Sequence, residues 1–335
     1  MRIEQLLFIG LFAAAVHSQA FAWGHDGHET VGAIADRLIV GTNAAKAVKK
    51  ILGGQTLQQA AVWADCAKGI DPSNYYAYRP KYHTTVCAIY ETPAGKHDMA
   101  DYVRRNDTNC TREEEKVSCH KEYHYADVAI QQNGYREGLV GTDDHDVVHA
   151  IHAAVDVLQG RPAPAPFDIK DKQEALRMLA HFIGDIHQPL HVGAVYLDKD
   201  GHLVDPDAGT YDPGTKTDGG NSITVNRAVL HAKWDAVPTS LKVEHVDSLV
   251  ELAKGVGPTD GDIAQWPEVW ATETVGVAQR TYQGIDFAAE DENTKKWPAS
   301  FTSPKSYSAT MNLIKKKQLA KAGARFAQTL EAIWP

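Results

Sequence analysis

Positive charge is in short supply: 34 Lys and Arg stand against 43 Asp and Glu, a formal net charge of −9 at pH 7. That balance argues against a basic groove for nucleic acid. A polyanionic ligand would need its positive charge from another source, and metal ions are one. Long apolar runs are missing after the first 22 residues. No later stretch reaches the ~18 apolar residues of a membrane-spanning helix, so no membrane anchor is expected. Cysteine is scarce, with four residues at 66, 87, 110 and 119, and no CxxC pair supports a structural zinc site. Alternating strand patterns are limited to "HLV" and "SITVN". There is no internal repeat, no low-complexity linker and no shift of composition that would mark a domain boundary.

The first 22 residues have the three parts of a secretory signal. Arg2 gives a thin positive region, "LLFIGLFAAAV" is an apolar stretch, and Ala20-Phe21-Ala22 fits small-x-small cleavage. A secreted or periplasmic protein is expected, its mature domain spanning 23–335 and beginning with Trp23. In an oxidising compartment four cysteines favour two disulfides. Three pairings are possible, and we favour Cys66–Cys87 with Cys110–Cys119. Asn106-Asp107-Thr108 and Asn109-Cys110-Thr111 are formal glycosylation sequons.

Helical periodicity dominates the rest. Val31, Ile34, Ala35 and Leu38 recur at one-face spacing, as do Leu176, Leu179, Ala180 and Ile183. "SLVELAKGV", "VWATETVGVAQRTYQ" and "LIKKKQLAKAGARFAQTLEAIW" behave alike, so the expected class is all-α. Lys315–Lys317 read as a solvated helix face. Residues 195–222 form a loop far longer than an ordinary connection, either a functional lid or a decoration. Its aspartates could hold calcium, although the EF-hand spacing is absent.

The sharpest chemical signal is "AHFIGDIHQPLH". His181 and Asp185, four apart on a helix, share a face and can share a divalent metal. Pro189 cannot donate to the Asp185 carbonyl, so the helix should end or kink there and send His191 elsewhere. His187 points off that face and reads as a buried, hydrogen-bonded histidine. "LHAKWDAVP" repeats the spacing with His231 and Asp235. A surface ion pair would explain one such pair; two in one His-rich chain argue for metal. Asp65 with Lys68, and His124 with Tyr125 and Asp127, are further candidates. His145, His149 and His152 on one helix face compete as a metal face, and His83 competes with His124.

Taken in order, Trp23-Gly24…His28, Trp63-Ala64-Asp65, His124-Tyr-Ala-Asp127, the His181-to-His191 run, Gly219-Gly220-Asn221, His231-x-x-Trp-Asp235 and Trp270-Ala-Thr-Glu273 resemble the zinc-dependent single-strand nucleases of the S1/P1 type. The resemblance covers the whole mature chain. It implies a single mainly helical domain of the zinc phospholipase C and nuclease type, with long loops bordering a cleft that holds three zinc ions. One zinc would be bound by Asp65, His124, His181 and Asp185, and a second by His191, His231 and Asp235. The third would be bound by His28, a bridging Asp185 and the free amine and carbonyl of Trp23. The implied activity is hydrolysis of single-stranded RNA and DNA to 5′-nucleotides, with 3′-nucleotides as further substrates and no obligate protein partner. Asp65, Lys68 and Asn221 would serve catalysis, Asn221 also touching the phosphate. Tyr125 would stack on a base and Asp127 would bind its edge.

Two departures matter. The family usually carries Arg where this chain has Lys68, and Lys cannot clamp a phosphate bidentately. The segment between Asp65 and His124 is also longer than in compact relatives. The alternatives are a zinc phospholipase C and a secreted zinc-binding protein without turnover. Asp235 in place of a final Glu, together with the short gap from Trp23 to His28, favours the nuclease.

Overall fold

The computed structural model describes residues 23–112 and 117–335, so the signal segment lies outside the described residues. Helices α1 (Gly24–Leu38), α2 (Asn43–Leu52), α3 (Leu57–Ala60), α4 (Trp63–Ala67), α5 (Pro93–Arg105) and α6 (Cys119–Glu122) make the first half. α7 (Val147–Leu158), α8 (Lys172–Asp185), α9 (Leu230–Asp235), α10 (Asp247–Lys254), α11 (Trp266–Thr281) and α12 (Pro304–Ile333) follow. The chain is mainly helical, as its periodicity predicts.

α8 runs through the centre and is buried at every position from Glu174 to Asp185. Asp171 caps its first turn by accepting from the Glu174 amide, and its neighbours are α7 on one side and α1, α4 and α12 around the rest. The Val31–Ile34–Ala35 stripe of α1 is fully buried and faces this core, with α12 as its most extensive partner. A helix with one apolar stripe gains stability only by burying it, and here α1 and α12 bury theirs against each other.

The helix-only expectation needs an addition. A four-stranded sheet joins Ala228–Val229, Ile223–Val225, Trp297–Phe301 and Ile285–Phe287 in that order. Its central pair is parallel, Trp297 opposite Ile223, and the outer pairs are antiparallel. "SITVN" and "HLV" do contain strands, but the sheet's other long partners, Ile285–Phe287 and Trp297–Phe301, are only three and five residues long, too short for their alternation to stand out in the sequence.

Both favoured disulfides are present, Cys66–Cys87 and Cys110–Cys119, and no described cysteine is free. No helix among the described residues is long and apolar enough to cross a membrane. The long loop is folded throughout. Tyr196–Leu197 pairs with Leu203–Val204, Asp198 and Asp212 accept backbone amides of their own turns, and Asp207 accepts the Val140 amide. These aspartates are spent on backbone rather than gathered for calcium. The first sequon asparagine is also committed: Asn106 is fully buried and donates to Tyr102 and Asp168 carbonyls. Lys315 contradicts the solvated-face reading. It is 1% exposed, and its Nζ donates to the carbonyls of Lys233 and Ala236 at 2.7 and 2.6 Å.

Candidate metal centre

α8 ends where Pro189 demands it. The Gln188 amide donates to the Asp185 carbonyl, and the chain turns into a short 3-10 segment, Pro189–His191, whose first free amide is capped by the Gln188 side chain. The break turns His191 onto a second cluster. His181 and Asp185, still helical, face the first.

In the first cluster His28, Asp65, His124, His181 and Asp185 are all buried. His181 Nδ1–H donates to the Ala61 carbonyl at 2.7 Å, which aims Nε2 inward. Nε2 lies 3.2 Å from Asp185 Oδ2 and 3.6 Å from Asp65 Oδ1. Although burial lowers the imidazole's pKa, these two carboxylates outweigh it and raise it, so a metal here would replace the Nε2 proton. His124 Nδ1 lies 2.9 Å from Asp185 Oδ2, while its Nε2 has no partner. His28 stacks on His181 with ring centres 3.7 Å apart, and its Nε2 lies 3.3 Å from Asp185 Oδ1. The stack needs Gly184, because a Cβ there would stand 2.7 Å from His28 Nδ1.

The second cluster is smaller. His191 Nδ1–H donates to the His124 carbonyl and His231 Nδ1–H to the Gly219 carbonyl, each at 2.8 Å. Both Nε2 atoms are therefore lone pairs, yet they face each other at 3.0 Å. Asp235 Oδ2 completes the group at 3.5 Å from His231, and Gln188 donates to Oδ1 at 2.8 Å. Gly219 and Gly220 both turn through positive φ, and a Cβ on Gly219 would meet the Leu190 carbonyl at 2.2 Å. A glycine at 219 is thus required for this carbonyl to orient His231.

These atoms fit a metal and little else. His28 Nδ1, Asp65 Oδ2, His124 Nε2 and Asp235 Oδ2 are buried without a hydrogen-bond partner, while Asp65 Oδ1 has only Lys68, and His28 Nε2 and Asp185 Oδ1 have only each other at 3.3 Å. Each unsatisfied buried polar group costs about 1–3 kcal/mol, so a set of this size calls for a cation. Burial pushes His28 down to about 4, with His181 adding to the effect. Burial likewise takes His124 and His231 to about 3, seconded by Lys68 and His191 respectively. Neutral imidazoles with free lone pairs are the ligand form. Burial opposes ionisation of Asp185, but His181 and the hydrogen bond from His124 outweigh it and hold the carboxyl well below the usual range. Asp65 behaves alike, with Lys68 as the main counterweight to burial. The Ala61, His124 and Gly219 carbonyls accept from Nδ1 of His181, His191 and His231 and so leave Nε2 of each ring as the ligand atom.

A family model for S1/P1 nuclease matches residues 23–335. The chain belongs to the S1/P1 nuclease family. Among curated relatives, Endonuclease 5 of Arabidopsis thaliana is 23% identical, covering 94% of this chain and 91% of its own. Endonuclease 2 of the same plant is 26% identical over 93% and 90%. Endonuclease 4 is 28% identical over 48% of this chain and half of its own length. As a member of the family the chain is a hydrolase of phosphodiester bonds in nucleic acid.

Trp23, the first described residue, adopts a left-handed conformation (φ 39°). Its indole is fully buried and donates to the Gly184 carbonyl at 2.8 Å, next to Asp185. Lys68 Nζ stands 2.8 Å from Asp65 Oδ1. Tyr125 and Asp127 lie outside both clusters, and Asn221, half-buried, ties its amide to the Asp218 carbonyl at 2.9 Å. The competing histidines do not converge. His83 pairs with Glu91, His149 with Asp146, and His152 with Glu268. His145 sits between Glu122 and the pair Asp143/Asp144. His187 is buried, its Nδ1–H donating to the Ile183 carbonyl. The Trp270-to-Glu273 motif is explained through it: Glu273 grips Arg325 at 2.8 Å, and Arg325 reaches His187 Nε2 at 3.1 Å, locking the end of α8.

Lys216 is the residue that motif reading missed. The long loop brings its Nζ within 3.5 Å of Asp127 Oδ2 and 5.7 Å of the Tyr125 ring centre. Nothing in the spacing of "GTKTDGG" marks it, because the contact is made only by the folding of the loop.

Proposed function

We propose that the protein is an exported, zinc-dependent phosphodiesterase that cleaves single-stranded RNA and DNA to 5′-nucleotides and also acts on 3′-nucleotides. Three zinc ions are assigned. Asp65, His124, His181 and Asp185 would hold one, and His191, His231 and Asp235 a second. His28, Asp185 and the amine and carbonyl of Trp23 would hold the third. The observation that carries the reading is the pair of imidazole lone pairs, His191 and His231, forced together at 3.0 Å beside Asp235 with both Nδ1–H groups already donated. Bound zinc supplies Lewis acidity to a phosphodiester oxygen and makes water a usable nucleophile near neutral pH.

The chain's own groups do the rest. Asp65, kept ionised by Lys68, orients the attacking water. Lys68 Nζ neutralises a phosphate oxygen but grips it at one point only. Asn221 is assigned to the phosphate, Tyr125 to stacking on a base and Asp127 to its edge. Asp127 would exchange Lys216 for the base when substrate arrives. Stacking accepts any base but only an unpaired one, which gives the single-strand preference. Two disulfides and the signal-like first 22 residues support export.

The test is a zinc-replete assay on matched single- and double-stranded substrates. Release of 5′-nucleotides from the single strand, abolished by EDTA, is expected. Cleavage of phosphatidylcholine with nucleic acid left intact would transfer the protein to the phospholipase reading.

A further inference from the structure

Between α4 and α5 the chain makes a detour that the metal clusters do not use. Ile70–Asp71 and Ala77–Tyr78 pair antiparallel around a 3-10 turn, Pro72–Asn74. The two residues closing the turn, Tyr75 and Tyr76, are both left-handed, at φ 52° and 57°. Bulky residues are strained there, and turns of this kind ordinarily use Gly or Asn. Tyr76 is compensated, since its amide donates to the Asp71 carbonyl at 2.9 Å and Arg104 covers its ring at 4.6 Å. Tyr75 has no such return: its side chain is 95% exposed. Folding does not account for a strained aromatic held in water. A ligand that stacks on it does.

Charge points the same way. In a chain of net charge −9, Arg79, Lys81, Lys96 and Arg104 have no carboxylate at ion-pair distance among the described residues. Lys96 lies over Tyr78 at 5.8 Å, and Arg79 and Lys81 lie over Tyr82 at 4.8 and 5.3 Å. The segment is also tied to the catalytic end. Arg79 Nη2 donates to the Lys68 carbonyl at 3.2 Å and its amide to the Gly69 carbonyl at 2.9 Å. Its Nε is buried with no acceptor. Cations thus begin at Lys68, beside Asp65, and recur along the segment as far as Arg104 over Tyr76, the chain neighbour of the open Tyr75 ring.

We propose that residues 70–83 are a docking arm for single-stranded polynucleotide, Arg79 and Lys81 holding backbone phosphates and Tyr75 stacking on an unpaired base away from the cleaved bond. The proposal rests on the nuclease reading above. A duplex offers the arm phosphates but no free base face, so the arm adds to single-strand preference.

The experiment compares the holoenzyme with Tyr75→Ala and Tyr75→Phe on a single-stranded 15-mer and on a dinucleoside monophosphate, which has no base to spare for the arm. Tyr75→Ala should raise KM for the 15-mer about fivefold or more, the scale of one lost base stack, with kcat unchanged and the dinucleotide cleaved as by the unmodified protein. Tyr75→Phe should restore the 15-mer. An equal effect on both substrates, or no effect on either, overturns the arm while leaving the nuclease intact. If the unmodified holoenzyme cleaves neither substrate, the nuclease reading itself fails. The arm is then decided by anisotropy titration of a fluorescein-labelled 15-mer: weaker binding by Tyr75→Ala supports it, and equal Kd values refute it.

Discussion

At the residue scale the centre depends on how each ligand is aimed rather than on which ligand is present. Lys68 is the clearest case, because its ammonium is the nearest cation to Asp65 and the reason that a buried carboxyl remains charged. Replacing Lys68 with Ala should lower kcat/KM by about 10- to 100-fold, equivalent to about 1.4–2.8 kcal/mol, with metal content unchanged because every ligand remains. Activity within twofold of the unmodified protein would remove Lys68 from the catalytic set. Trp23 makes a second prediction. If its amine is a ligand, one residue retained before it should abolish activity although the indole stays seated on Gly184. Full activity in such a form, its sequence verified by mass spectrometry, would refute the amine assignment.

At the scale of elements, short helices are held in place by buried charge. α9 carries two ligands on only six residues, and its C-terminal carbonyls are closed by Lys315 from α12. Burial pushes that ammonium down to about 8. Lys315→Met keeps the stem volume but leaves two buried carbonyls unpaired. It should cost about 2–5 kcal/mol in denaturant unfolding and weaken the second metal site, read as zinc lost on dialysis. Unchanged stability would mean that water replaces the ammonium.

His145 plays the same part between α6 and α7. Burial disfavours its charge, but hydrogen bonds with Asp143, Glu122 and Asp144 outweigh that and push it up to about 10. A raised folded-state value means that the protonated form stabilises the fold fully below the unfolded value of about 6.5. That stability is lost as pH rises through about 10. The stability difference between the unmodified protein and His145→Gln should therefore shrink from pH 6 to pH 10. A constant difference would show that the ring stays neutral.

At the scale of the whole molecule, what the sequence revealed depended on how local the information was. The i, i+4 pairs His181/Asp185 and His231/Asp235 and the break at Pro189 are local, so the histidines could be assigned faces before any contact was known. Spacing favours the Cys66–Cys87 and Cys110–Cys119 pairs, and the structure contains both. Lys315, Lys216 and Arg79 were not legible in this way. Lys315 and Lys216 act through partners far along the chain, Ala236 and Asp127, Arg79 through a turn that brings it back onto Lys68, and a lysine in a "KKK" run looks the same whether it is solvated or buried. The parallel strand pairing of Trp297 with Ile223 was hidden for the same reason.

The two clusters also draw on four separate helices, α1, α4, α8 and α9, together with the His124 and His191 segments. Without a metal ion, that junction confines three carboxylates and several imidazoles, and buried lone pairs on His124 and Asp235 and one oxygen of Asp65 have no donor. Metal should therefore be part of the fold's stability as well as its chemistry. A ligand bound only by the native state, at a thousandfold over its Kd, adds about 4 kcal/mol, and in a large domain each kcal/mol moves Tm by about 2 °C. Stripping with EDTA should lower Tm by about 8 °C for each tightly held ion, and zinc should restore it while magnesium, which prefers oxygen ligands, should not. A Tm unmoved by verified removal of metal would mean that the unpaired atoms are satisfied by water, and the centre would then have to be reread as a hydrated cavity.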